Sequence, residues 1–544
     1  MGKFIYIYRT SPQDGQWTTE IDRLRQCVPV IDGKEYIHQN KNQLLWCNNS
    51  GGIQLEGFSL QTGHFGTEPA SPDYSFQLKV ADHEISASAD FTASRAIWYI
   101  VHQNTLMISS SQRMILKMLG DFKFNRQAAS WMLCSGCLGF GQSWDERIRF
   151  LKPNTTLTFA KGELQKINSV KKSISESSRS LQEIFDQVFS HFQSNANLGI
   201  TLSGGYDSRA CIYYLKKHNI PVKSYSWGLP GSLELGGTDS NIAQKVADTL
   251  EIPFHFDQLY NESLSARQIL RTFVLHGEGR NDHFNAFTDG LAMWSGFPDR
   301  NIDSIIRADE AFGWLKVSND KDARISLELN KVEDFESLER VFELSSLQPP
   351  SWDEQAGREE GETLAAWRDR LYRNFRIPYI LSGLHDPMLT FVELYNPLLH
   401  PGFIQWVLSQ DDKDRTDKSK YKQFVEKLMP DIPVATIPSI PEPQEVLARP
   451  DYFNEIALTL QSQLAYDTLG QELVDFLLSQ HQAGENHNKL ENKYVRMLKN
   501  ITPFWVKKFL RNNINPYKLS YNKLIFRAYI TVAMQEIILN DIKK

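Results

Sequence analysis

The stretch that most restricts what this chain can fold into runs from Leu198 to about His218. An apolar run, Leu198–Leu202, meets a tight turn, Ser203-Gly-Gly-Tyr-Asp-Ser208, and a helical pattern follows at once. Strand, double glycine and helix together make an anion-binding design. Gly204 and Gly205 let the backbone approach a phosphate, and the amides at the head of the helix point at it. Ser203 and Ser208 add hydroxyl donors, and Asp207 is placed to hold Mg²⁺. The plain alternative is an ordinary strand-to-helix turn with two glycines. All five positions fixed in this setting favour the phosphate reading.

The surroundings predict a parallel sheet. A second strand is expected at Val222–Trp227, then a helix with Ile242, Val246 and Leu250 on one face and Thr238 or Asp239 as N-cap. Strands alternating with helices imply an α/β sheet covered on both faces. A chain of 544 residues exceeds one ordinary core. Residues 1–170 read as β-rich, with strands at Phe4–Tyr8, Ser75–Val80, Ile97–His102 and Thr156–Phe159. A charged, serine-rich linker follows at Lys171–Ser180, then an α/β domain over 181–450, mostly helical from about 325, and a helical C-terminal extension over 451–544.

A net charge of −6 and the lack of any basic-aromatic stretch exclude an obvious nucleic-acid partner. No run approaches the roughly 20 apolar residues of a membrane span. Five cysteines make no disulfide framework, so a cytoplasmic protein is expected.

Leu202-Ser-Gly-Gly-Tyr-Asp-Ser208 resembles the pyrophosphatase loop, or PP-loop, of the asparagine synthetase family. The likeness continues through Ser224–Ser232, Asp239 and its helix, and Pro253-Phe-His255, with His255 reading as a packing or capping residue. It returns at Ala308-Asp-Glu-Ala-Phe-Gly313 and Glu393–His400. The resemblance implies that Ser203, Gly204, Gly205, Asp207 and Ser208 hold ATP phosphates and Mg²⁺. It implies that Leu202, Trp227 and Ser304 line the adenosine pocket, and that Asp309 is a second metal carboxylate facing Asp207. A loop carboxylate or helix cap is the plainer reading of Asp309.

Residues 1–170 are similar to that family's two-sheet glutaminase (Ntn-hydrolase-like) domain, through Ala89-Asp-Phe-Thr92, Leu106–Leu116 and Lys152–Phe159. Gly2 stands where the resemblance expects the nucleophilic cysteine, so no glutamine hydrolysis is expected. Cys27, Cys47 and Cys211 read as core thiols. The Cys134-Ser-Gly-Cys137 spacing reads as structural without a second pair.

Two departures bear on chemistry. In Ser304-Ile-Ile-Arg-Ala-Asp-Glu310, Ile306 replaces the family's acidic residue. Arg307 could pair with a substrate carboxylate, stabilise phosphate charge, or simply pair with an aspartate. After Met429-Pro430 the family's late lysine is missing, which leaves Lys418, Lys422 or Arg307 to replace it. The loop His276-Gly-Glu-Gly-Arg-Asn-Asp-His283 reads as solvated, with Glu278, Asp282 and His283 as alternative general bases. The expected activity is an ATP- and Mg²⁺-dependent, AMP-forming amide ligase. Asp207, Asp309 and Arg307 are its catalytic candidates. It would act on a small-molecule or peptide carboxylate, as relatives that close β-lactams or cyclise lasso peptides do, with a precursor peptide or delivery protein as partner. Ammonia-dependent asparagine synthesis and a non-catalytic nucleotide-binding relic are the alternatives.

Overall fold

The computed structural model describes residues 2–11, 17–51, 53–62, 76–81, 84–169, 179–190, 197–260, 262–311, 315–481 and 519–543. Most of the Lys171–Ser180 linker lies outside them. The first domain stacks two six-stranded antiparallel sheets. In one, Phe4–Arg9 lies between Gln43–Cys47 and Thr105–Ser109. Phe4, Ile5, Tyr6 and Ile7 are all buried, as suits a central strand covered on both faces. In the other, Thr155–Ala160 alternates: Thr155, Leu157 and Phe159 are buried and their neighbours half-buried. That period of two turns one face into the core between the sheets. The expected strands are present with ends shifted by one or two residues.

The second domain is built on five parallel strands in the order Phe254–Gln258, Lys223–Gly228, Leu198–Thr201, Ser304–Ile306, Glu393–Tyr395. Leu198–Thr201 is wholly buried at the centre. Helix Asp207–Lys217 follows the glycine turn. Helix Asp239–Thr249 is capped by Thr238, whose hydroxyl accepts from the Asn241 amide at 3.2 Å. Residues 320–470 add mainly helices.

The last helix, Tyr521–Lys543, packs against both domains. Leu524–Gln535 are buried around the whole circumference. The helix packs against Gln112–Leu119 and Arg126–Ser135 of the first domain and Ala266–Gly277 of the second. Arg527 Nε donates to Asp282 at 2.6 Å, and Arg113 Nε to Asp541 at 2.8 Å. The residues between 482 and 518 lie outside the described set.

The His276–His283 loop departs from both of its readings. It is buried between the domains and engaged in ion pairs. Glu278 accepts from the Gln112 amide at 2.8 Å and from the Ser111 hydroxyl. Arg280 reaches Asp386 at 2.7 Å, and Lys3 meets the same carboxylate at 3.0 Å. His283 faces Glu328 at 2.9 Å. The five cysteines are buried and unbridged. Burial pushes Cys27, Cys47, Cys134 and Cys137 up to about 12, as their structural reading requires. Among the described residues no helix is long and apolar enough to cross a membrane.

Candidate active site

The predicted residues gather at the carboxyl end of the parallel sheet. Leu198–Thr201 has the next strand in the chain on one side and Ser304–Ile306 on the other. Such a switch point opens a crevice, and α/β proteins bind ligands there. The Leu202 amide donates to Tyr225 O at 2.8 Å, and the turn begins immediately after it. Ser203 N donates to Ser208 Oγ at 3.0 Å and the two hydroxyls lie 2.9 Å apart, so the turn is closed on itself.

The two glycines are needed for different reasons. A Cβ on Gly204 would lie 2.6 Å from Ala435 Cβ and 2.9 Å from Ile242 Cβ. The same residue's amide donates to Asp239 Oδ1 at 3.0 Å, which ties the turn to the next helix. A Cβ on Gly205 would meet only Ser203 Oγ, at 3.3 Å. That leaves beside the Ser203 hydroxyl the open space a phosphate needs at a helix head. Arg209 braces the other side, donating to the Ile432 and Pro433 carbonyls, each at 2.7 Å. The segment where the family's lysine is missing therefore lies directly on the loop.

Lys418 brings the cation. Its Nζ lies 3.0 Å from Asp207 Oδ2 and 2.7 Å from Glu310 Oε1. Burial alone would lower its pKa, but Glu310 and Asp207 overcome that and raise it. Asp417 and Lys418 have φ of 59° and 53°, left-handed values that strain non-glycine residues. The kink separates helix Asp412–Arg415 from helix Ser419–Leu428 and turns Lys418 inward. Lys422 instead pairs with Asp417 at 2.7 Å.

Asp309 is held by different partners from those expected. Arg307 Nε and Nη2 donate to it at 3.1 and 3.2 Å, and His385 Nε2 lies 2.7 Å away. With its amide turned to suit its neighbours, Asn396 donates to the same carboxylate at 3.2 Å. Burial would raise the Asp309 carboxyl, but the Arg307 and His385 charges hold it well below the usual range. The carboxylate sharing a cation with Asp207 is thus Glu310, and Arg307 is the aspartate-paired arginine. Ser304 also differs from expectation. It pairs with Leu198 at the amino end of the sheet and is fully buried. It lies four residues below Leu202, on the order of 13 Å from the loop. Trp227 is half-buried at the correct end of its strand, edge-on to Trp294. His255 stacks on Tyr225, a packing role.

Among the described residues no three His, Cys, Asp or Glu side chains converge on a metal-sized point. Mg²⁺ on nucleotide phosphates needs only one or two carboxylates. Asp207 and Glu310 fit that donor set, since they already stabilise a cation between them. Sequence reasoning passed over Glu310, Asp239, His385 and Asn396. Of these, Asp239, Glu310 and Asn396 lay inside motifs already singled out, while His385 carried no local signal.

Residues 181–285, which hold the loop and its Asp239 brace, match the family model described as asparagine synthase. The match spans 105 of the chain's 544 residues and marks this domain as similar to that family. That family uses ATP, so the domain points to an ATP-dependent carbon–nitrogen ligase. A search of curated proteins returned no match.

Proposed function

We propose that the protein is an ATP-dependent, AMP- and pyrophosphate-forming amide ligase that works without hydrolysing glutamine. The observation carrying the reading is the open cradle at Gly205, with Asp207 and Glu310 stabilising a cation at its rim. A substrate carboxylate oxygen bonds to the α-phosphorus of ATP as the bond to pyrophosphate breaks. An amine nitrogen then attacks the acyl carbon, AMP leaves, and the amine loses a proton. The loop amides and the Ser203 and Ser208 hydroxyls take up the departing pyrophosphate. Lys418 supplies a positive charge beside it, the role left open by the missing lysine. Mg²⁺, when bound at Asp207, neutralises phosphate charge.

Two observations support independence from glutamine. A Cβ at Gly2 would lie 1.4 Å from Asn48 Oδ1, so the place of a nucleophile is filled. Asn48 is fixed there, donating to Pro29 O at 2.7 Å and to Thr390 O at 3.2 Å. The amine therefore comes from ammonia or from the substrate itself. Ile306, buried in the sheet where the family has its acid, disfavours aspartate as substrate. We favour a peptide, including intramolecular ring closure. The test is carboxylate-dependent exchange of labelled pyrophosphate into ATP. Substrate-dependent AMP release with no glutamate from glutamine is expected; ADP as product would refute the mechanism.

A further inference from the structure

A cleft of about 1020 Å³ lies between the Ile148–Thr155 stretch of the first domain and the turns and helices from Asp353 to Tyr379. No residue of the Ser203–Ser208 loop lines it, so it is a separate space from the phosphate cradle. Its walls include Tyr99, Phe140, Phe150, Phe375 and Tyr379. Small-ligand pockets span roughly 300–1,000 Å³, so this one suits an occupant larger than a free amino acid.

The walls carry Arg149, Lys152, Arg370 and Arg373 against Asp353 and Glu359, an excess of cations. Arg373 lines the cleft, and its Nη1 is buried without a hydrogen-bond partner. The carboxylate beside it, Asp369, is already 2.9 Å from Arg368 Nη2 and 3.1 Å from Arg415 Nε. Burial pushes Arg373 down to about 10; Asp369 opposes this, while Arg415 and Arg370 add to it. Arg368, Arg415 and Arg373 thus share Asp369, with Glu362 as a further counter-charge, and Arg373 Nη1 is left without a hydrogen bond of its own. Nearer the mouth, Arg149 and Lys152 are exposed and have no carboxylate partner among the described residues. The wall is thin. Tyr372, next in the chain to Arg373, stands in the field of Glu310, Asp309 and Asp207.

We propose that this cleft binds an acidic peptide segment, one carboxylate taken by Arg373 and apolar side chains against the aromatic walls. An Arg–carboxylate pair is frequently bidentate, which supplies geometry as well as charge. The peptide's role as the substrate being activated rests on the ligase reading above. Its binding does not.

The experiment is fluorescence anisotropy with a short fluorescein-labelled peptide of alternating Glu and Phe, without nucleotide. The wild type binds it, and a peptide with Lys in place of Glu does not compete. Arg373→Gln weakens binding about tenfold or more, yet does not lower Tm, because it relieves like-charge crowding. Arg149→Glu, at an exposed position, also weakens binding. Equal binding by both variants, equal binding of the Lys peptide, or a lower Tm for Arg373→Gln would overturn the assignment. Peptide binding that survives in Asp207→Ala supports a site distinct from the loop. Loss of pyrophosphate exchange with peptide binding intact would count against the ligase reading alone.

Discussion

Lys418 is one of the three cations the sequence offers at the site, and the fold brings it to the loop. Its ammonium holds two carboxylates of different loops, Asp207 and Glu310, side by side. Replacing it by Met leaves those partly buried charges facing each other without a cation, at a cost of about 3 kcal/mol. Lys418→Met should therefore unfold at lower denaturant, and Mg²⁺ should restore more stability to the variant than to the wild type. Equal stability with and without the lysine would contradict the bridging role. The tight packing at Gly204 was legible in the double glycine, since a Cβ there would meet Ala435 and Ile242. The choice of Glu310 over its neighbour Asp309 was not, because a loop has no periodicity to say which of two adjacent carboxylates faces the cradle. Lys418 was named only as one of three cations, since a left-handed kink leaves no signature in lysine.

The loop works only as one piece with its neighbouring helix. Asp239 accepts from the Gly204 amide at the start of Asp239–Thr249, and burial raises its carboxyl while that hydrogen bond lowers it. Asp239→Ala frees the turn to leave its anion-binding shape, so Mg²⁺–ATP affinity by calorimetry should fall about tenfold. Unchanged affinity would show that the turn holds itself. Strands and helices flanking the loop were legible to within two residues because their apolar periods are long and bounded by turns. Ser304–Ile306 was misjudged because a three-residue strand has no period of its own. Its register is set by Leu198 and Glu393, far away in sequence.

Between the domains lies a buried polar interface. Lys3, Asn48 and Asn49 bond to Asp386, Thr390 and Phe391, and Ser94 O lies 3.2 Å from His385 Nδ1, on the ring that holds Asp309. His276 sits in this interface, 3.3 Å from Thr390 Oγ1. Burial first, then Arg113 and Lys3, push it from 6.5 down to about 3. Above pH 6.5 the ring is neutral folded or unfolded; below it the unfolded chain binds a proton that the folded one refuses. Stability is lost as pH falls from 6.5 towards 3, by about 1.4 kcal/mol per unit from this group. His276→Gln should flatten that part of the denaturation profile; an identical slope would show another group at work. The polar run 276–283 read as solvated because its partners, Ser111, Asp386 and Arg527, are distant in sequence. Three-dimensional enclosure leaves little trace in local pattern.

The most direct test of the central claim is calorimetry of ATP binding with and without Mg²⁺, in the wild type and in Asp207→Ala. The account predicts wild-type binding that needs Mg²⁺ and is lost in the variant. Absence of wild-type binding, or binding indifferent to both Mg²⁺ and Asp207, would contradict it and leave the loop a relic of a nucleotide site.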